Sequence, residues 1–251
     1  MDLLHFDLPE LHPQNVTILN VIALGTLAFI LFWFTSQSER TKNFFFKRYS
    51  KEKASVRQFL FSKWLGLLVL GILPALILII ADPQFTLEGL GLNLPMNRIA
   101  YVFGWTGILG ALVIPLAFLS ARKEKNLVNY PQIRSKSWSK LTIFQTLTGW
   151  AVYLLGYEFL FRGILFFPLL NALGLWTTIG INTAMYSLSH APKGLDETIG
   201  AIPLGVVLCI LTYTSGNIWI AFLVHWLMAI TNCFTAFYHH PDMHYQKYGK
   251  K

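Results

Sequence analysis

The sequence contains few charged residues and few cysteines. Only 13% of its 251 residues are Asp, Glu, Lys or Arg, whereas globular domains carry roughly 25%. Hydrophobic residues make up 54% and the mean hydropathy is +0.50, so a soluble fold of this length would have too few charges to cover its apolar side chains. The same composition excludes a disordered chain, a collagen and a coiled coil. With only two cysteines, a disulfide-rich scaffold is excluded as well.

Long apolar runs indicate a polytopic membrane protein. A helix that crosses the hydrocarbon core needs about 20 predominantly apolar residues. Seven runs approach that length: residues 16–35, 61–81, 99–119, 143–171, 175–190, 199–214 and 217–238. The sequence therefore predicts an all-α transmembrane helical bundle of about seven spans. It divides into residues 1–140, with about three spans and basic cytoplasmic loops, residues 141–238, with about four spans, and a cytoplasmic tail, residues 239–251.

Lysine and arginine are distributed unevenly among the connections between the runs. The connection 36–59 contains seven of them and the connection 121–140 contains six, while residues 1–15 and 82–97 contain none. Because lysine and arginine accumulate in cytoplasmic loops, the pattern predicts an N-terminus outside the cell and a cytoplasmic C-terminus. The same loop lysines and arginines account for the net charge of +8. They also attract anionic lipid headgroups. Nucleic acid is therefore not an expected partner.

The N-terminal segment does not resemble a signal peptide. Asp2, Asp7 and Glu10 stand where a signal peptide has its basic region. We therefore expect an integral, multi-pass protein of a bacterial inner (plasma) membrane, with the lipid bilayer as its first partner.

Apart from Lys63 at the start of the second run, the residues within the predicted spans that can readily carry charge are Glu158, Arg162, His190 and His225. Each costs on the order of 2.5–3.5 kcal/mol at the centre of a membrane helix, which makes it a functional candidate. Glu158 and Arg162 share one helix face. They form either a closed ion pair that stabilises helix packing or a site in which Glu158 handles a proton or water and Arg162 orients it.

Other polar residues accompany these candidates. Tyr186 lies one helical turn before His190, and Asn232 lies two turns after His225 on the same face. Counting about 1.5 Å per residue from each outer helix end places Glu158, His190 and Asn232 in the cytoplasmic third of the membrane. We therefore expect Glu158, Arg162 and the two histidines to line one cavity that opens towards the cytoplasm.

These residues resemble the motifs of the CPBP family, the CAAX-protease and bacteriocin-processing (Abi) intramembrane proteases. The segment 157–163, Tyr-Glu-Phe-Leu-Phe-Arg-Gly, resembles the family's Glu-Glu-x-x-x-Arg motif. Tyr186 to His190 resembles its second motif, and His225 resembles the histidine of its third, His-x-x-x-Asn. Tyr157 replaces the first glutamate, which the family is described as using for water activation, and Ala229 replaces the final asparagine.

The resemblance implies a CPBP-like catalytic core in residues 141–238 and an endopeptidase that works by a glutamate-dependent or metal-dependent route. Glu158 is then the candidate base for water, and His190 and His225 are candidates for binding the oxyanion. Tyr157 can hydrogen-bond water or the carbonyl, but a phenol is a poor base at neutral pH. Tyr157 is therefore a supporting residue. His190, His225 and Glu158 are residue types that bind zinc, so zinc held by these three is an alternative. The sequence contains no closely spaced His-Glu-x-x-His pair. No cofactor is otherwise expected.

The leading hypothesis is an intramembrane protease that cuts a peptide or protein substrate near the cytoplasmic face. The alternative is a catalytically inactive family member that binds a peptide as an immunity or scaffold protein. A transporter is disfavoured because no paired repeat is evident and the charged candidates lie in one half of the chain.

Overall fold

A computed structural model describes residues 12–246 as a bundle of helices. The α-helices are α1 (Pro13–Ser36), α2 (Glu39–Phe46), α3 (Lys51–Gly66), α4 (Leu73–Ala81), α5 (Ile99–Ala121), α6 (Glu124–Leu127), α7 (Lys140–Glu158), α8 (Phe166–Leu173), α9 (Leu175–Leu188), α10 (Leu195–Ser215) and α11 (Trp219–His239). The predicted all-α bundle is thereby confirmed. Asp2, Asp7 and Glu10, and the end of the predicted tail, residues 247–251, lie outside the described residues.

Short irregular elements join or extend these helices. Leu67–Ile72, Glu88–Leu92 and Phe159–Leu165 are π-helical. Met96–Arg98 and Ala191–Lys193 are 3₁₀ turns. Two short strands, β1 (Ser137–Trp138) and β2 (His244–Tyr245), pair in parallel. The π-helical stretch Phe159–Leu165 joins α7 to α8 without a break, so one long helix runs through the middle of the bundle.

Six helical stretches of the described chain are long and apolar enough to cross a membrane: Pro13–Phe46, Lys51–Ala81, Glu88–Ala121, Lys140–Leu173, Leu195–Ser215 and Trp219–His239. They correspond to six of the seven predicted spans. The remaining one, 175–190, is corrected to the shorter helix α9. With 14 residues, α9 is about 21 Å long, which is less than the roughly 30 Å of the hydrocarbon core.

The short helix α9 runs antiparallel to α7. Near its middle, the Asn182 Nδ2 group donates to the carbonyl oxygen of Phe161 at 2.5 Å. Just beyond its end, the Ser189 hydroxyl lies 2.6 Å from the Tyr157 hydroxyl. Later residues of α9 thus meet earlier residues of the long helix Lys140–Leu173. This arrangement brings the end of α9 next to Tyr157.

The span Lys140–Leu173 forms the centre of the bundle. Of its apolar part 78% is buried within the protein, against 22–39% for the other five spans. A glycine permits its close contact with the second span: a Cβ atom on Gly156 would lie 2.7 Å from the Leu67 Cα atom and 2.9 Å from the Gly66 carbonyl oxygen. Small residues let membrane helices approach each other closely, so Gly156 allows α7 to pack tightly against the second span.

The predicted orientation can be tested by labelling single cysteines with a membrane-impermeant maleimide. Cys209 and Cys233 are free but buried, so they should contribute little background. In intact cells, Met96→Cys should be labelled, because residues 82–97 are predicted to lie outside. Lys53→Cys and Lys123→Cys, both at exposed positions, should react only after permeabilisation. Labelling of either of these two from outside would contradict the predicted orientation.

Candidate active site

A partly open cavity of about 480 Å³ lies between α1, α5, α7, α9, α10 and α11. Most of its wall is apolar and comes from α1, α5 and α10. Polar candidates line it from the other helices: Tyr157, Tyr186, His190, His225 and Asn232. The structure therefore brings five of the seven predicted site residues to one cavity.

Glu158 and Arg162 do not line this cavity, and the expectation that they would is wrong. Both side chains are 0% exposed. The reason lies in the helix itself, because consecutive residues differ by about 100° around its axis. Since Tyr157 faces the cavity, Glu158 points behind the cavity wall.

Glu158 contacts His225 on the side of the imidazole that faces away from the cavity. The Glu158 Oε1 atom lies 2.6 Å from the His225 Nδ1 atom, and its Oε2 atom lies 3.7 Å from the Arg162 Nε atom. Glu158 is the last residue of α7, and Arg162 lies in the π-helical stretch that follows. Short π-helical segments occur frequently at functional sites. Here the segment carries the guanidinium that balances the buried carboxylate.

Arg162 has two further partners inside the protein. Its Nη1 atom donates to the Asn182 Oδ1 atom at 3.3 Å, and its Cζ atom lies 4.4 Å from the centre of the Tyr186 ring. A buried charge is costly unless it is paired and hydrogen-bonded, and a guanidinium over an aromatic face gains a cation–π contribution. Asn182 was missed by the sequence analysis. The available signal was an amide in an apolar run, one turn before Tyr186.

The end of α9 fixes the ring of His190. The last carbonyl groups of a helix lack helical N–H partners, and the Tyr186 carbonyl accepts instead from the Ser189 hydroxyl at 2.6 Å and the His190 Nδ1 atom at 3.0 Å. A carbonyl can only accept, so a neutral His190 carries its proton on Nδ1. Its Nε2 atom then keeps a lone pair.

The same argument assigns the tautomer of His225. A carboxylate can only accept, so the His225 Nδ1 atom donates to Glu158 and the Nε2 atom keeps its lone pair. The two imidazole rings have centroids 6.2 Å apart and planes inclined by 23°. The Tyr157 ring centroid lies 5.5 Å from that of His225 and 6.3 Å from that of His190. Both histidines line the cavity, where each has one basic nitrogen available.

Charged residues line the cavity near the connection from α9 to α10. The Lys193 Nζ atom lies 3.5 Å from the Glu197 Oε2 atom, and Tyr130 lines the same region. Burial opposes the charge of Lys193, but Tyr130 and Glu197 outweigh it and raise the pKa of the ammonium above its ordinary range. Burial also raises the pKa of Tyr130. Lys193 therefore remains charged at neutral pH.

The residues named for zinc do not form a ligand set. Both oxygens of Glu158 face other groups, His225 on one side and Arg162 on the other. Within residues 12–246, no group of three or more His, Cys, Asp or Glu side chains is arranged to hold a metal ion. The Nε2 atoms of His190 and His225 are not engaged by Glu158, but Glu158 could join them as a third ligand only by leaving His225 and Arg162, so the three residues as arranged do not fit zinc.

Comparison with known proteins identifies a related family. The sequence model of the family described as Rce1-like, "Type II CAAX prenyl endopeptidase Rce1-like", matches residues 138–231. No curated protein and no solved structure matches the chain. The matched segment contains Tyr157, Glu158, Arg162, His190 and His225. The predicted resemblance to the CAAX-protease family is thereby confirmed, and it extends over residues 138–231 of this chain.

Proposed function

We propose that the protein is an intramembrane endopeptidase of the CPBP type that hydrolyses a peptide bond near the cytoplasmic face of the membrane. The observation that carries the proposal is the 2.6 Å contact between the Glu158 carboxylate and the His225 Nδ1 atom. A carboxylate in this position orients the imidazole and stabilises the imidazolium that forms when the other nitrogen takes a proton. Here the other nitrogen belongs to a residue that lines the cavity.

His225 is the general base in this mechanism. A water molecule in the cavity donates one proton to the His225 Nε2 atom and its second hydrogen bond to the His190 Nε2 atom. As the first proton moves to His225, the water oxygen bonds to the peptide carbonyl carbon. The imidazolium then gives that proton to the leaving nitrogen as the C–N bond breaks. Glu158 thus acts through His225 and does not touch the water.

The developing oxyanion requires a hydrogen-bond donor. Ala229 cannot provide one, although the resemblance places an asparagine there. Asn232 lies about one turn further along α11 and also lines the cavity. Its amide is the donor that we assign to the oxyanion. The substrate is a membrane-associated peptide or protein, because the largely apolar wall suits an apolar stretch of chain.

A second candidate function is a peptide-binding protein that does not cut. Two observations favour it: Tyr157 occupies the position of the family's first glutamate, and Glu158 is sealed from the cavity. Such a protein would hold a peptide in the same cavity as an immunity or scaffold protein. It would bind a peptide tightly and release it intact.

The two functions can be separated with purified protein reconstituted in lipid nanodiscs and offered a peptide library. The parent should cleave a subset of peptides, with or without a chelator, and His190→Ala should reduce the rate about 100-fold. His240→Ala, which removes a half-buried histidine outside the cavity lining, should match the parent. If neither the parent nor Tyr157→Glu cleaves any peptide, while both retain one, the binding function is the better account.

A further inference from the structure

Ser189 connects Tyr157 to the end of α9, and neither the sequence motifs nor the mechanism above uses it. Its Oγ atom lies 2.6 Å from the Tyr157 hydroxyl oxygen and 2.6 Å from the Tyr186 carbonyl oxygen. It is also 3.3 Å from the His190 Nδ1 atom. Ser189 and Tyr157 both line the cavity.

The protons in this group of atoms can be assigned by elimination. The Tyr186 carbonyl only accepts, so the single proton of Ser189 is donated to it. His190 carries its proton on Nδ1, so that nitrogen cannot accept from Ser189. The remaining contact, between Ser189 and Tyr157, must then use the phenolic proton. Tyr157 is consequently the donor to Ser189, and its oxygen keeps only lone pairs for the cavity.

We propose that Ser189 is a positioning residue that makes Tyr157 a hydrogen-bond acceptor towards the cavity. A carboxylate is an acceptor without a proton to give, so a phenol held in this way takes the hydrogen-bonding role of the glutamate that the resemblance places at residue 157. The two hydrogens of the water are held by His190 Nε2 and His225 Nε2. Because Tyr157 gives its own proton to Ser189, it donates nothing to the water oxygen, whose lone pair stays free to attack.

The consequence for catalysis rests on the proposed function. In Ser189→Ala the phenolic proton loses its acceptor, so Tyr157 can donate it to the water oxygen and occupy the lone pair needed for attack. One neutral hydrogen bond changes a rate by about two- to tenfold. We expect Ser189→Ala to lower kcat by about fivefold, provided that residue 157 carries a hydroxyl.

The proton assignment is tested without any cleavage assay. The ring C–O stretch of tyrosine responds to whether the phenol donates its proton, so infrared difference spectra between the protein and its Tyr157→Phe variant isolate the band of Tyr157. In the parent protein the band should have the frequency of a phenol that donates its proton. The frequency of a phenol that accepts a hydrogen bond without donating one would overturn the proposal.

The catalytic consequence is tested by a double-mutant cycle. Ser189→Ala should lower kcat when residue 157 is Tyr and should have no effect when residue 157 is Phe. A merely structural defect would persist in both backgrounds, and that result would overturn the positioning role. Ser62→Ala, which removes a comparable serine-to-backbone bond in α3, serves as the control. If the parent cleaves nothing, the proposed function fails and the infrared result alone decides the role of Ser189.

Discussion

Replacing His225 with alanine is expected to lower kcat/KM for peptide cleavage by about 10²- to 10⁴-fold. The variant removes the base that accepts the proton of water, while the apolar part of the cavity remains. His240→Ala serves as the control for the loss of a histidine. Cleavage by His225→Ala at the rate of the parent would show that His225 is not the base.

Glu158→Gln provides the matching test of the residue behind His225. Glutamine keeps the volume, but its amide group can donate to the His225 Nδ1 atom. The ring proton would then sit on Nε2, where it blocks proton uptake, and the loss should again be about 10²- to 10⁴-fold. Both rates are measured on the same peptide, and activity like that of the parent would remove Glu158 from the mechanism.

Arg162→Leu is expected to reduce the free energy of unfolding by about 3–5 kcal/mol, because the buried Glu158 carboxylate loses its cationic partner. The Asn182 side-chain oxygen would also lose one of its two donors and keep the Cys209 thiol. The effect can be measured by denaturant-induced unfolding in detergent micelles. Arg48→Leu is the control: Arg48 is exposed and contacts only its own helix turn at Phe44, so its loss should cost less than about 1 kcal/mol.

The double variant Glu158→Gln/Arg162→Leu separates stability from catalysis. Removing both charges avoids an unpaired buried ion, so this variant should regain much of the stability lost in Arg162→Leu. It should still cleave as poorly as Glu158→Gln, because the carboxylate behind His225 is absent. If the two changes were instead additive in stability, Glu158 and Arg162 would not be energetically coupled.

The sequence alone determined the membrane class and which residues were chemical candidates. Apolar runs and the cost of an ionisable group in lipid depend on composition and on residue type, and neither requires knowledge of helix contacts. The four-residue spacing of Glu158 and Arg162 also predicted correctly that they share a helix face. The Glu158 Oε2 atom lies 3.7 Å from the Arg162 Nε atom. The motif order likewise predicted the resemblance to the CAAX-protease family, which the match to residues 138–231 confirms for that segment.

Only the tertiary structure decided which way these groups point. Hydropathy does not show where a helix ends. The apolar run 175–190 therefore predicts a full span, whereas helix α9 ends at Leu188. Spacing shows that Glu158 and Arg162 share a helix face, but only the packing of the other helices shows that Tyr157 faces the cavity and that Glu158 faces His225. Asn182 and Ser189 resemble ordinary polar residues in the sequence. Their roles arise because α9 runs antiparallel to α7 and places them within hydrogen-bonding distance of Arg162 and Tyr157.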